Sequence, residues 1–150
     1  MILEIEEIKK LLPHRIPFLF LDRVEIIELG INGVGYKKFL PEEFFFKGHF
    51  PNKPIVPGVI LIETLAQTAG VVVAKSFADQ DEKSVLFMNI SKAKFRKPAL
   101  PNDELSFKVD YMNKVRSVYK FKGIVFKQSI IICEAEFSAM IIDKSSKEIF

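Results

Sequence analysis

The sequence predicts an α+β domain in which a curved antiparallel sheet wraps around one long helix. Three observations predict it: one apolar run of helical length spans about residues 57–78, four strand-like segments follow it, and short connections join those segments. A chain of 150 residues has the usual size of one domain, so we expect a single domain over residues 1–150.

The N-terminal third predicts one helix and one hairpin. Apolar residues recur at helical spacing over residues 3–12, which predicts a short helix that ends at Pro13. Residues 18–28 are apolar and β-branched enough to form a strand. Asn32-Gly33 is typical of a hairpin turn, and residues 34–39 would form the returning strand.

An irregular segment is predicted over residues 40–57. It contains four prolines and a glycine, and proline lacks a backbone donor and restricts the residue before it. These residues are Pro41, Gly48, Pro51, Pro54 and Pro57. The segment is therefore expected to be a stiff loop, and a loop held by a rigid scaffold often carries function.

The long helix is predicted from about residue 57 to residue 78, with a proline in its first turn. Thirteen of residues 59–78 are apolar and point nearly all round, which indicates a helix buried on most sides. A membrane span is the alternative. Because Glu63, Gln67 and Lys75 interrupt the run and the neighbouring segments are strands, we favour a buried core helix and no membrane insertion.

Four strands are predicted after the helix, over residues 85–93, 104–113, 118–127 and 130–143. Residues 127–128 and 114–117 are the expected hairpin connections.

Composition excludes several classes of function. A net charge of +3 is too small to indicate nucleic-acid binding, although it is compatible with a basic patch for an acidic partner. Two histidines and one cysteine argue against a structural zinc site, and there is no glycine-rich phosphate loop. We therefore expect no structural zinc site and no cofactor held by a phosphate loop. Cys133 ends an apolar run, which predicts a buried, unreactive thiol in a reducing compartment. The N-terminus does not resemble a signal peptide, so a cytoplasmic location is expected.

Candidate chemistry is concentrated between His49 and Gln67. The start of the long helix leaves backbone N–H groups without partners, and Gly58 carries no side chain to block an oxyanion there. His49 lies in the rigid loop just before it. Glu63 and Gln67 are four residues apart on one side of the helix, beside Thr64 and Thr68.

A carboxyl group kept out of water favours its protonated form and can act as a general acid. Each residue also has a structural interpretation: the histidine as a surface residue, the glutamate as a paired core residue, the glutamine and threonines as backbone-bonding groups. Because the rigid loop, the helix start, the histidine and the glutamate all fall in one short segment, we favour the functional interpretation.

Two motifs resemble those of the β-hydroxyacyl-acyl carrier protein dehydratases of type II fatty acid synthesis. The first is LPHRIPFLFLDR at residues 12–23, and the second is GHFPNKPIVPGV at residues 48–59, followed by Glu63, Ala66 and Gln67. The likeness extends to FRKP at residues 95–98 and PND at residues 101–103. The dehydratase–isomerase branch of that family has cysteine and aspartate where this chain has Val59 and Glu63, so the chain is similar to the plain dehydratase (FabZ-type) branch.

The resemblance implies a hot-dog fold, a homodimer assembled as a trimer of dimers, and active sites at the dimer interface. It also implies that His49 removes the α proton, that Glu63 of the partner subunit protonates the departing hydroxyl, and that the Gly58 amide polarises the thioester carbonyl. The Ile55 carbonyl would orient His49, and Gln67 would orient Glu63. The substrate would be a (3R)-hydroxyacyl group on acyl carrier protein, for which the candidate docking residues are Lys92, Lys94, Arg96 and Lys97.

Three alternatives stay open. A thioesterase or an R-specific enoyl-CoA hydratase of the same fold is the enzyme alternative, and a non-catalytic module that senses acyl thioesters is the binding alternative. His14 and Arg15 belong to the first motif, but the sequence assigns them no chemical role. Acyl chain length and the residues that gate the acyl tunnel are not predicted.

Overall fold

The computed structural model describes residues 1–143, so the last seven residues of the predicted domain lie outside the described residues. It contains seven strands, two α-helices and a 3₁₀ turn over Phe44–Lys47. The elements are β1 (Ile2–Glu4), α1 (Ile5–Leu11), β2 (Arg23–Glu28), β3 (Asn32–Lys38), α2 (Gly58–Ser76), β4 (Lys83–Phe95), β5 (Glu104–Val115), β6 (Val118–Lys127) and β7 (Ile130–Asp143). The strands form one antiparallel sheet in the order β1-β2-β3-β5-β6-β7-β4.

Helix α2 is the core around which the sheet curves. It packs against strands β2 to β7, and the predicted burial on most sides is confirmed. The helix is long and apolar enough to cross a membrane by length and composition, but 78% of its most apolar window is buried inside the protein. The apolar surface of α2 is therefore buried in the hydrophobic core.

Two glycines let the sheet approach the helix closely. A Cβ atom on Gly35 would lie 2.3 Å from Oγ1 of Thr68, and one on Gly123 would lie 2.8 Å from Leu65. Because real Cβ atoms do not come so close to other atoms, a side chain at these positions of β3 and β6 would force Thr68 or Leu65 to move. The sheet is thus wrapped tightly around the middle of α2.

The N-terminal hairpin differs from the prediction. Strand β2 begins only at Arg23, since the backbone of residues 18–20 bonds to a side chain of α2 instead of joining a ladder. The predicted Asn32-Gly33 turn is wrong, because both residues lie in β3 and the turn occupies residues 29–31. Gly30 takes the left-handed conformation that this turn requires, with φ of 73°.

The other boundaries lie close to those predicted. Strands β6 and β7 have the predicted limits, while β4 and β5 each extend beyond theirs by about two residues. The β6–β7 turn is at residues 128–129, one residue later than expected, and the β5–β6 turn lies within the predicted residues 114–117. The short strand β1 was not predicted, and it shortens the N-terminal helix to seven residues.

Strand β4 forms an edge of the sheet and is 13 residues long. Among the described residues it pairs only with β7, and all but its first three residues are largely exposed. Several of the exposed side chains are large and apolar: Leu86, Phe87, Met88, Ile90 and Phe95. A long apolar edge strand is a template for pairing with another chain.

Candidate active site

The loop before α2 holds His49 at a fixed angle. The Nδ1 atom of His49 lies 2.8 Å from the carbonyl oxygen of Ile55, and the imidazole stacks on the Phe50 ring with centroids 4.0 Å apart. A carbonyl can only accept, so Nδ1 carries the hydrogen and Nε2 of the neutral ring carries the lone pair. The half-buried imidazole is therefore prepared to act as a base through Nε2.

Backbone hydrogen bonds stiffen this loop. The Ile55 amide donates to the His49 carbonyl at 3.0 Å, and Phe50 and Lys53 donate to each other's carbonyls at 3.1 and 3.0 Å. The Val56 amide donates to the Ala99 carbonyl at 2.8 Å, which ties the loop to the segment after β4. The irregular loop predicted from the prolines is confirmed, with a 3₁₀ turn over Phe44–Lys47 within it.

Gly58 begins α2 beside this loop. Its N-cap is Pro57, which has no side-chain hydrogen-bond donor or acceptor, and the first amide bonded within the helix is that of Ile60. Within residues 1–143 the Gly58 amide has no hydrogen-bond partner. It carries the partial positive charge of a helix start and is free to donate to a ligand.

His49 and Gly58 line the same cleft, which has a volume of about 430 Å³. Its walls are mainly apolar and come from the proline-rich loop, the first turns of α2 and the segment after β4. They are formed by His49, Ile55, Val56, Gly58, Val59, Leu61, Phe95, Arg96, Lys97, Pro98 and Ala99. The arrangement places a base and a free amide at the surface of one apolar space.

Glu63 lies on α2 outside the lining of this cleft. Its Oε2 atom accepts a hydrogen bond of 2.8 Å from Nε2 of Gln67, and Nε2 of His14 lies 3.5 Å from the same oxygen. The Glu63 side chain is 18% exposed. Glu63 does not line the His49 cleft within the described chain.

Gln67 is fully buried, and its orientation is fixed by the backbone of the N-terminal loop. The Phe20 amide donates to Oε1 of Gln67 at 2.9 Å, which identifies that atom as the oxygen. The amide nitrogen then donates to the Phe18 carbonyl at 2.9 Å and to Glu63. The predicted contact between Gln67 and Glu63 is therefore present.

The two threonines beside them bond only to the helix. Oγ1 of Thr64 donates to the Ile60 carbonyl at 2.7 Å, and Oγ1 of Thr68 donates to the Thr64 carbonyl at 2.8 Å. Both side chains are fully buried, so the structural interpretation applies to them.

The basic candidates for docking divide into two groups. Arg96 and Lys97 lie at the His49 cleft, while Lys92 and Lys94 lie farther back along β4 beside a smaller hollow of about 220 Å³. Lys92 pairs with Glu136 at 3.3 Å, and Arg96 is paired with Glu134. Within residues 1–143, Lys94 and Lys97 have no ion pair with an acidic side chain.

His14 and Phe95 belong to the site, although sequence reasoning assigned neither a role. His14 stands within the first motif and Phe95 begins the FRKP stretch at residues 95–98, so the resemblance gave a usable signal for each. The Phe95 ring lies so close to Gly58 that a Cβ atom there would be 2.4 Å from it. Phe95 is thus a wall of the cleft at the start of the helix.

A larger cleft of about 640 Å³ lies elsewhere, between the ends of β2, β3 and β5. Its lining carries both signs of charge and contains none of the candidate catalytic residues. The ion pairs of Lys37 with Asp22 and Glu43, at 3.6 and 3.4 Å, neutralise much of that charge. Volume alone therefore does not make it the candidate active site.

The described part of the chain contains no cluster of three or more His, Cys, Asp or Glu residues that could hold a metal ion.

Comparison with known proteins gives the same fold and one family. Residues 12–136 match the model of the FabA-like domain. The 3-hydroxyacyl-[acyl-carrier-protein] dehydratase FabZ of Syntrophotalea carbinolica is 41% identical over 97% of this chain and 99% of its own length. The FabZ of Campylobacter hominis is 43% identical over 95% and 99%.

Two solved structures share the architecture at low sequence identity. The dehydratase heterocomplex ApeI:P of Xenorhabdus doucetiae superposes with a TM-score of 0.72 at 14% identity, covering 91% of each chain. Cj0977, a sigma28-regulated virulence protein of Campylobacter jejuni, superposes with a TM-score of 0.68 at 13% identity, covering 96% of this chain and 99% of its own. These likenesses concern the fold. The chain has the hot-dog fold and belongs to the FabA-like domain family, within the 3-hydroxyacyl-[acyl-carrier-protein] dehydratases named FabZ, which are hydro-lyases.

Proposed function

We propose that this chain removes water from (3R)-hydroxyacyl thioesters on acyl carrier protein, giving trans-2-enoyl thioesters during fatty acid elongation. The observation that carries the proposal is the joint exposure of His49 and the free Gly58 amide in one apolar cleft. The thioester substrate is the one printed in the names of the curated relatives. The reaction needs one base, one acid and a donor to the thioester oxygen.

The base is His49. Its Nε2 lone pair takes the α proton, which breaks the Cα–H bond and leaves the electron pair delocalised onto the thioester oxygen. The Gly58 amide donates to that oxygen, where the helix start stabilises the growing negative charge. One donor of this kind is worth about 10²–10³ in rate.

The acid is Glu63 of a partner subunit. Its carboxyl proton passes to the β-hydroxyl as the Cβ–O bond breaks, so that water leaves and the Cα=Cβ bond forms. Within the described chain Glu63 is absent from the lining of the His49 cleft, which supports a site completed by two chains. No metal or organic cofactor enters this scheme.

The exposed edge supports a homodimer. Strand β4 offers a long row of free backbone groups and large apolar side chains, and Phe95 at its end belongs to the His49 cleft. Pairing of β4 with its copy would bury this edge and bring a second chain beside each cleft. We propose that three such dimers form a hexamer, that this assembly works in the cytoplasm without membrane insertion, and that it does not bind nucleic acid.

Acyl carrier protein would dock near the cleft mouth. Arg96 and Lys97 supply positive charge there, and Lys92 and Lys94 extend it along β4. Attraction between opposite charges raises the rate of association and weakens with added salt.

The proposal is tested with His49→Ala and Glu63→Gln, assayed on a 3-hydroxybutyryl thioester for the conjugated enoyl absorbance. Each variant should lose at least about 100-fold in kcat, because a positioned acid or base contributes that much or more. The exposed Lys10→Ala serves as the control and should keep full activity. Near-normal turnover by either site variant, with an intact oligomer, would contradict the assignment.

A free-thiol assay in the same experiment addresses the thioesterase alternative. Thiol release without enoyl absorbance would favour hydrolysis over elimination. Comparison of carrier-bound and coenzyme A-bound substrate addresses the hydratase alternative, which would favour the coenzyme A form.

A further inference from the structure

We propose that His14 is a positioning residue for Glu63, and that His14 and Gln67 together direct the acidic proton to the Oε1 atom of Glu63. The inference rests on the proposed function, because it specifies how the acid of that site is held. It adds a residue to the site and a location for the proton.

The contacts on Glu63 are asymmetric. Both neighbouring nitrogen atoms face Oε2: Nε2 of Gln67 at 2.8 Å and Nε2 of His14 at 3.5 Å. Within residues 1–143 nothing bonds to Oε1. One oxygen is therefore occupied by the protein and the other is free for a substrate.

Gln67 and His14 each present an N–H group to Glu63, and each hydrogen is assigned by a different argument. Gln67 must present an N–H, since its oxygen already accepts from the Phe20 amide. For His14, Nδ1 is buried and lacks a hydrogen-bond partner in the described chain. A buried donor without a partner is costlier than an unused lone pair, so the hydrogen of the neutral ring belongs on Nε2, facing Glu63.

These two N–H groups determine which oxygen of Glu63 carries the acidic proton. An oxygen that faces two N–H donors acts as the carbonyl oxygen of a carboxylic acid, because a hydroxyl hydrogen there would oppose the donors. The hydroxyl is then Oε1, the atom left free for the departing β-hydroxyl. After the proton has left, the same two donors stabilise the carboxylate, and His14 in its cationic form would pair with it.

The loop that carries His14 is held by its neighbour. The guanidinium of Arg15 donates to the carbonyls of Leu12 and His14 at 2.9 and 2.7 Å, and to that of Lys9 at 3.0 Å. Arg15 also pairs with Glu82 at 3.5 Å. These hydrogen bonds explain one role of the first motif, because they hold the backbone that carries the His14 imidazole towards Glu63 on α2.

The test compares His14→Leu with His14→Gln in the complete oligomer. Leucine fills similar space without a donor, whereas the glutamine amide can place an N–H near the position of Nε2. We expect His14→Leu to lower kcat about tenfold with KM changed less than about twofold, and His14→Gln to recover most of the loss. Gel filtration and thermal unfolding check that both variants keep the assembly.

A coupling measurement separates positioning from a structural role. In the Glu63→Gln background there is no proton to direct, so adding His14→Leu should lower the residual rate less than about twofold. A tenfold further loss in that background would show that His14 acts on the structure and would overturn the inference, as would a wild-type kcat for His14→Leu. Full activity of Glu63→Gln alone would instead remove the proposed function itself.

Discussion

Nδ1 of His49 lies 2.8 Å from the carbonyl oxygen of Ile55, and this one contact fixes both the angle of the imidazole and the nitrogen that is free to act as a base. The contact closes a seven-residue loop, residues 49–55, in which two prolines and crossed backbone hydrogen bonds restrict the backbone. The base is therefore oriented by a backbone carbonyl, and the stacked Phe50 ring supports it.

Gln67 links the N-terminal loop to the acid, and its loss should cost both stability and rate. In Gln67→Leu the buried Phe20 amide and Phe18 carbonyl lose their partner, which should lower the free energy of unfolding by about 3 kcal/mol. Urea unfolding measures the loss in the free energy of unfolding, and kcat should fall as well.

Thr64→Val is the matched control on the same helix. It should lose less than about 1 kcal/mol and keep its kcat, because the Thr64 hydroxyl bonds only within the helix. Equal losses in the two variants would contradict the account.

Gly58 should accept a side chain only if the Phe95 ring moves. A Cβ atom there would lie 2.4 Å from the Phe95 ring, so Gly58→Ala must displace the ring and lower the free energy of unfolding by about 1 kcal/mol. Because Phe95 is 54% exposed, the ring can yield without disrupting the core. Phe95→Ala in the same chain removes the clash, and the double variant should lose less stability than the sum of the single variants. If the stability losses of the two single variants simply add in the double variant, the proposed clash between residue 58 and Phe95 is contradicted.

Charge at the cleft mouth should affect carrier-bound substrates alone. Lys97→Glu places a negative charge beside the cleft, so KM for a carrier-bound substrate should rise about tenfold at low salt and the effect should shrink as salt is added. Turnover of a small hydroxyacyl thioester should not change. Lys10→Glu on α1 makes the same charge change at another exposed site and should leave both values unchanged. An equal rise in KM for both substrates would indicate damage to the cleft.

Cys133 should resist thiol reagents in the folded protein. It is completely buried, and burial, with a smaller contribution from Glu134, raises the pKa of its thiol from 9.0 to about 11. Little thiolate then exists near pH 8, and a disulfide reagent should react only after unfolding in guanidinium. Rapid labelling of the native protein would contradict this placement.

The same shift predicts a pH effect on stability. The folded state holds the thiol proton more tightly than the unfolded chain does. This contribution to the free energy of unfolding is complete below pH 9 and is lost as the pH rises towards 11. Cys133→Ala should remove that part of the pH dependence in urea unfolding measured across this range.

The sequence was most informative where a physical pattern extended over many residues. The all-round apolar run predicted α2 and its burial, and the last strands were predicted as strand-like segments joined by short connections. Local chemistry was less informative. Asn32-Gly33 has the composition of a turn, yet Gly33 is needed where β3 passes Val72, and Gly30 makes the turn.

Residues of the candidate site were likewise easiest to predict where they lie close together in the sequence. His49, Gly58, Glu63 and Gln67 lie in one continuous segment, so their grouping was visible in the chain. His14 and Phe95 reach the site from 49 residues before Glu63 and 37 residues after Gly58, and only the folded sheet brings them there. No spacing rule within a helix or loop could have found them.

A mixture of two inactive subunits tests most directly whether each site takes His49 from one chain and Glu63 from another. His49→Ala and Glu63→Gln chains carrying different tags are expressed together, and the doubly tagged oligomer is compared with each variant alone. A twofold-symmetric dimer with shared sites regenerates one intact site in each mixed pair, so random mixing should restore about a quarter of wild-type kcat. If both residues of a site belonged to the same chain, no mixed pair would contain an intact site, and activity no greater than that of the separate variants would contradict the account.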